Sequence, residues 1–225
     1  MARSVNRLHN PQSREIIIFA TSLKHGGFCI AGKCTYTGVW IRPVSDKQGG
    51  AIPINQAKAT NSSWEKQGKQ PYAIRLLSKI DINFSQHVPY LHQQENWLCN
   101  TDVIWRHNFS IDRQELHNYL DQPENLWIFG DFTDRVPECY IKNITNSLYL
   151  IEVQNLELCV NEFDGRRRRR AIFFYRNIRY DLSVTDTQFD ELSRNCNHYQ
   201  TAILCVSLGE LYLGNFYKIV ATIFI

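Results

Sequence analysis

Short apolar runs, rich in β-branched and aromatic residues and closed off by glycine, asparagine or aspartate, recur along most of this 225-residue chain and restrict it to a strand-rich fold. Ile16-Ile17-Ile18-Phe19-Ala20 reads as a buried strand, Gly26-Gly27 turns the chain, and Phe28-Cys29-Ile30-Ala31 returns it. Gly38 then precedes Val39-Trp40-Ile41-Arg42, which completes a β-meander. Residues 49–68 are polar and read as a long loop, residues 72–84 as a longer strand, and residues 85–108 as irregular. Ser110 or Asp112 is placed to cap a short helix running to Leu120, with Glu115 early in it.

The second half repeats the style. Its candidate strands are 147–153, 156–163, 169–176, 178–183, 202–207 and 217–225. Asp164-Gly165 is a hairpin turn between the second and third of these, and Asn177 marks a bend before the fourth. Asp186 is a plausible cap for a helix over 186–196, in which Phe189 and Leu192 share a face. Each half therefore holds about five short strands and about one helix, which is the parts list of an OB-fold. The expectation is a mainly β protein with few short helices, built as two tandem OB-like β-barrels. A flexible basic arm spans 1–14, a first barrel with long loops 15–135, and a second barrel 136–225.

Aromatic residues make up 12% of the chain and there is one Met, which argues against a helical bundle. The formal charge is only +3, so any binding of nucleic acid must come from a local patch rather than from the molecule as a whole. Seven cysteines, with no Cys-x-x-Cys pair and several in apolar runs, fit free thiols in a reducing cytoplasm. The first residues carry Arg3, Arg7 and Arg14 without an apolar core, unlike a signal peptide, and no apolar run reaches the length of a membrane span.

Three motifs carry polar chemistry. The first is the turn Lys24-His25-Gly26-Gly27. Glycines let backbone approach a ligand closely, Lys24 supplies a point charge for phosphate, and His25 a donor or a stacking ring. The plainer reading is a hairpin turn with solvated Lys and His. The second is Trp40 and Arg42, which share one strand face, as in single-strand binders where a ring stacks a base beside a guanidinium. The plainer reading is a core Trp and an arginine in a structural ion pair. The third is the run Arg166-Arg167-Arg168-Arg169-Arg170, with Arg176 and Arg179 nearby. Alternate members point to opposite faces, so two or three can line a groove; otherwise the run is a solvated loop tip. Ser183 to Asp186 fits a helix cap better than a ligand site. His25, Cys29 and Cys34 match no zinc spacing, and there is no Gly-x-Ser-x-Gly elbow, so no metal ion, cofactor or catalytic residue is expected.

Ser22-Leu23-Lys24-His25-Gly26-Gly27-Phe28-Cys29-Ile30-Ala31-Gly32 and Trp40-Ile41-Arg42-Pro43-Val44-Ser45 resemble the opening blocks of the dual OB-containing domain family. Tyr180-Asp181-Leu182-Ser183-Val184-Thr185-Asp186, Leu204-Cys205-Val206-Ser207-Leu208-Gly209-Glu210 and Tyr217-Lys218-Ile219-Val220-Ala221 resemble its closing blocks. The resemblance implies two OB-like units, a bacterial setting near mobile-element and phage-defence genes, and binding of nucleic acids or nucleotides. It brings no catalytic residues, and the arginine run is not part of its pattern. The expected function is a sensor or adaptor in prokaryotic antiviral defence that binds single-stranded nucleic acid or a nucleotide. Two alternatives stand beside it: an enzyme acting on a nucleotide or modified base, and an interaction subunit whose apolar end at 217–225 is buried in its own barrel or against a protein partner.

Overall fold

A computed structural model describes residues 13–225 except 25, 101, 129–131 and 164, and describes Lys24, Phe163 and Arg166 by backbone alone. Residues 1–12 of the expected basic arm, His25 and Asp164 lie outside the described residues. Arg14 already belongs to the first strand, and its guanidinium lies 4.1 Å from the ring centre of Trp97.

The chain forms β1 (Ser13–Lys24), β2 (Gly27–Cys34), β3 (Trp40–Val44), β4 (Ile52–Pro53), β5 (Lys58–Thr60), α1 (Ser62–Lys66), β6 (Tyr72–Ala73), β7 (Ser78–His87), β8 (Asn96–Cys99) and β9 (Trp105–Ser110). A 3-10 helix (Arg113–Tyr119) leads into β10 (Arg135–Pro137) and a second 3-10 helix (Glu138–Asn143). There follow β11 (Leu148–Phe163), β12 (Arg166–Tyr175), β13 (Ile178–Val184), α2 (Phe189–Asn195), β14 (His198–Tyr212) and β15 (Asn215–Phe224).

The strand pairings close two rings. In the first, β1 pairs β2, β2 pairs β3, β3 pairs β8, β8 pairs β7, and β7 returns to β1. In the second the circuit is β11, β12, β13, β15, β14 and back to β11. Both rings follow the order 1-2-3-5-4-1, and in both the pairing of third and fifth strands is the parallel one. These are two closed five-stranded OB-like barrels in tandem, as the pattern of runs led one to expect.

Several elements differ from the sequence reading, each for a local reason. The stretch read as a long loop over 49–68 holds β4, β5 and α1, and the irregular stretch 85–108 holds β8, the fifth strand of the first barrel. At four residues β8 is too short to show a period. The two strands read over 147–163 are one 16-residue strand, β11, that changes register between Gln154 and Glu157. Asn155 takes up the shift at φ 50, a conformation asparagine tolerates. The helix after β9 is 3-10, and Asp112 rather than Ser110 caps it, in a box with Glu115.

The β1 run lacks alternation because both of its faces are buried. Ile16 and Ile18 enter the first barrel's core with Ile80, Ile82 and Phe84. Ile17 and Phe19 face outward into a second cluster with Leu150, Ile203, Cys205 and Phe224 of the other barrel. The barrels are therefore joined by an apolar seam between β1 and β2 on one side and β11, β14 and β15 on the other. Asp121, in the connection, ties it: its carboxylate accepts from Lys33 Nζ (2.5 Å), Trp40 Nε1 (2.9 Å) and the Leu150 N–H (2.8 Å). The apolar end of the chain is consumed inside the molecule, with Val220 and Ile223 in the second barrel's core and Ala221 and Phe224 in the seam.

Candidate nucleic-acid interface

An OB barrel offers ligands the outer face of its second and third strands, flanked by the loops between strands one and two and between strands four and five. In the first barrel that face belongs to β2 and β3. Trp40 and Arg42 do share one side of β3, as strand period requires, but the side is turned to the second barrel. The Trp40 indole donates to Asp121 and meets the edge of Phe19 at 6.0 Å. Arg42 Nη2 donates to Ser147 Oγ (2.7 Å) and lies 3.3 Å from Glu95 Oε1, and Ser147 donates to the same carboxylate. Lys33, across from Trp40 on β2, is also spent on the seam. The plainer reading of this pair thus matches the contacts, because the second barrel occupies the face.

The Lys24-His25-Gly26-Gly27 turn is the loop between strands one and two of this barrel. Gly26 has φ 79, and a Cβ at Gly27 would stand 2.8 Å from the Ile52 carbonyl oxygen, because β4 pairs there. Gly27 therefore lets the chain's own backbone approach. The turn sits at the far end of β2 from Lys33, so it is not beside Trp40.

In the second barrel the corresponding face belongs to β12 and β13, and the seam leaves it uncovered. Ala171, Phe173, Tyr175, Tyr180, Leu182 and Val184 point into the core, so Arg168, Arg170, Ile172 and Phe174 point outward. The arginine run fills the first half of β12, next to the loop between strands one and two. Arg170 is held: its Nε donates to Asp181 Oδ1 (2.7 Å), its Nη1 to Ser183 Oγ (2.8 Å), and Asp134 lies 3.7 Å away. Arg169 leans over Phe189 and pairs with Asp190 on α2. Arg167 and Arg168 are exposed, and with Arg169, Val160, Ser183 and Asp190 they line a groove of about 580 Å³. Arg176 is in the β12–β13 turn and donates to the Gln122 carbonyl (3.1 Å), away from that groove.

This face also holds Phe174, which the sequence reading did not single out, and Arg179, which it named only as charge near the arginine run. Phe174 is 38% exposed, and Arg179, also exposed, lies directly across from it. Arg176 and Asn177 both have positive φ and form a two-residue turn, which sets that register. The signal was present in the sequence: the bend at Asn177 places residues 174 and 179 opposite each other. Arg168 and Phe174 are separated by roughly 20 Å along one strand face. At the far side of this barrel, the loop between strands four and five exposes Tyr212 and Leu213.

Asp186, before α2, is a structural tie. It is buried, its carboxylate accepts from the Gln188 and Ile223 N–H groups (2.8 and 2.7 Å), and burial lifts its pKa above the ordinary carboxylate value. Among the described residues no group of three or more His, Cys, Asp or Glu side chains is placed to hold a metal ion. No described helix is long and apolar enough to cross a membrane.

No curated protein matches the chain. Among solved structures it is similar to the crystal structure of the tetrameric p202 HIN2, at 12% identity over 93% of this chain and 87% of that one, with a TM-score of 0.32. That score carries no argument about ligand or fold. The circuit of strands found in both barrels does, and it agrees with the family model of the dual OB-containing domain, which matches residues 14–223: the chain belongs to the dual OB-containing domain family.

Proposed function

We propose that the protein binds single-stranded nucleic acid across the outer face of β12 and β13, with the exposed arginines at one end and Phe174 with Arg179 at the other. One observation carries the reading: of the two OB faces built from second and third strands, one is closed by the other barrel, and the open one carries Arg168, Phe174 and Arg179, with Arg167 exposed in the groove at its end. The arginines neutralise phosphates, and the phenyl ring gives a base a stacking surface beside a guanidinium. Phe174 favours a strand whose bases are unpaired, since a duplex keeps its base faces stacked. A role as sensor or adaptor in prokaryotic antiviral defence, in a cytoplasmic setting, is the finer part of the proposal. It is supported by family membership and by thiols that, among the described residues, form no disulfide.

The test is fluorescence anisotropy of labelled oligo-dT and oligo-U over a salt series. Each phosphate contact on a single strand contributes about 0.7 to the slope of log K against log salt. Arg167→Ser with Arg168→Ser should flatten the slope by about 1.4. Phe174→Ala should cost about 1–3 kcal/mol with the slope unchanged. No binding at low salt, or a double variant with the parent's slope, overturns the proposal.

A further inference from the structure

A second site lies between the barrels, and it has a different chemistry from the arginine groove. The seam leaves a cleft of about 280 Å³ where β1 and β2 diverge from β14 and β15. Its floor is aliphatic and low, made by Ala20, Ala31, Leu148 and Ala221. Around the floor stand Ser22, Gln93, Thr185, Ser207 and Glu210, which offer hydroxyls, an amide and a carboxylate. Arg42 also lines the cleft, and its Nε–H is buried with no acceptor among the described residues, although its Nη2 is fully engaged with Ser147, Ser207 and Glu95. A buried donor on a charged group is costly to leave unmade.

Three features fix the kind of ligand. The volume sits just under the usual range for small-molecule pockets, which suits one or two fused rings and excludes a long chain. Arg42 is already paired with Glu95 and Glu210 adds a negative charge on the rim, so nothing there attracts a phosphate. Apolar faces with donors and acceptors around the edge match a flat molecule that is apolar above and below and polar at its perimeter. We infer that this cleft binds a neutral heterocyclic base, free as a nucleoside or presented by a strand, with a ring nitrogen or carbonyl accepting from Arg42 Nε. The inference does not rest on the β12–β13 reading, because no residue of that face lines the cleft.

Cys29 lines the cleft and is half-buried, whereas Cys139 and Cys196 are exposed and lie outside it, so alkylation followed by mass spectrometry reports occupancy with internal controls. Adenosine, guanosine, cytidine and uridine serve as free probes, and an oligonucleotide with and without abasic sites as the strand probe. At ten times its Kd a bound probe should slow Cys29 alkylation about tenfold and leave Cys139 and Cys196 unchanged. Protection by a nucleoside supports the free source. Protection by the intact oligonucleotide and not the abasic one supports the strand source. A 5′-phosphate should weaken nucleoside binding. Thr185→Trp, a change at an exposed rim position, should block the cleft and abolish protection without disturbing the core, and Arg42→Lys should weaken it while keeping a charge opposite Glu95. No protection by any probe, equal protection by the abasic strand, or protection that survives Thr185→Trp overturns the inference.

Discussion

Replacing Asp121 with Ala removes one carboxylate that serves both barrels at once. Its two oxygens accept from Lys33, Trp40 and the Leu150 N–H, and its own N–H donates to the Leu150 carbonyl (2.7 Å). Lys33 is the costly partner, because its side chain is 7% exposed and without Asp121 it keeps the Tyr119 carbonyl (2.7 Å) and the face of Trp40 (5.2 Å) but no counter-charge among the described residues. Breaking a buried ion pair by removing one member costs about 3–5 kcal/mol, since the other charge is left in a poor solvent. Asp121 is 24% exposed, so water can partly replace it, and the expected loss is at the low end, about 3 kcal/mol. Urea denaturation followed by circular dichroism measures it. Lys33→Met removes the stranded charge, so the double variant should be more stable than the two single losses predict, by at least about 1 kcal/mol of coupling. A loss below about 1 kcal/mol for Asp121→Ala, or strictly additive single effects, refutes the reasoning that this carboxylate clamps the seam.

Gly32→Ala should destabilise the first barrel by about 3 kcal/mol, read as a lowered denaturation midpoint, because the new Cβ would stand 2.1 Å from the Ile17 carbonyl oxygen at the β1 bulge. His92 is buried and its pKa is lowered, mainly by burial and also by Arg42, against the opposing pull of the Leu208 carbonyl and Glu95. The unfolded chain then binds the proton more readily than the folded one, so stability falls as pH drops below about 6.5 towards the folded pKa. His92→Gln should remove part of that slope, and an unchanged slope would show that His92 does not carry it. Burial pushes the Cys99 thiol up to about 12 and raises Cys205 as well, so at pH 8 a thiol reagent should modify Cys139 and Cys196 in the native protein and spare these two until it is unfolded.

The two-barrel architecture was legible because turn residues cut the apolar runs at the right places. Gly26 and the bend at Asn177 both fall between paired strands. What the sequence left open was which side of each strand meets which neighbour. Trp40 and Arg42 were rightly read as sharing a face, yet nothing local says that the face meets another barrel, since the partners Asp121, Ser147 and Glu95 lie about fifty to a hundred positions away. The unbroken Ile16 to Phe19 run held that information in a form that periodicity alone reads only as burial on both sides. The arginine run is plain in the sequence, but the pairing of Arg170 depends on Asp134 and Asp181, which only the folded register brings alongside. Phe174 sits in an apolar run, and only its register against Arg179 across the turn sets it on the open face.

The central claim is that of two related faces only the second barrel's holds a strand. Photo-crosslinking of an oligonucleotide carrying 4-thiouridine, followed by peptide mapping, tests it directly. Crosslinks on the β12–β13 hairpin, centred on Phe174 and the arginines of β12, are the predicted result. Crosslinks concentrated instead on Lys33 and Trp40, with none on the β12–β13 hairpin, would contradict the account.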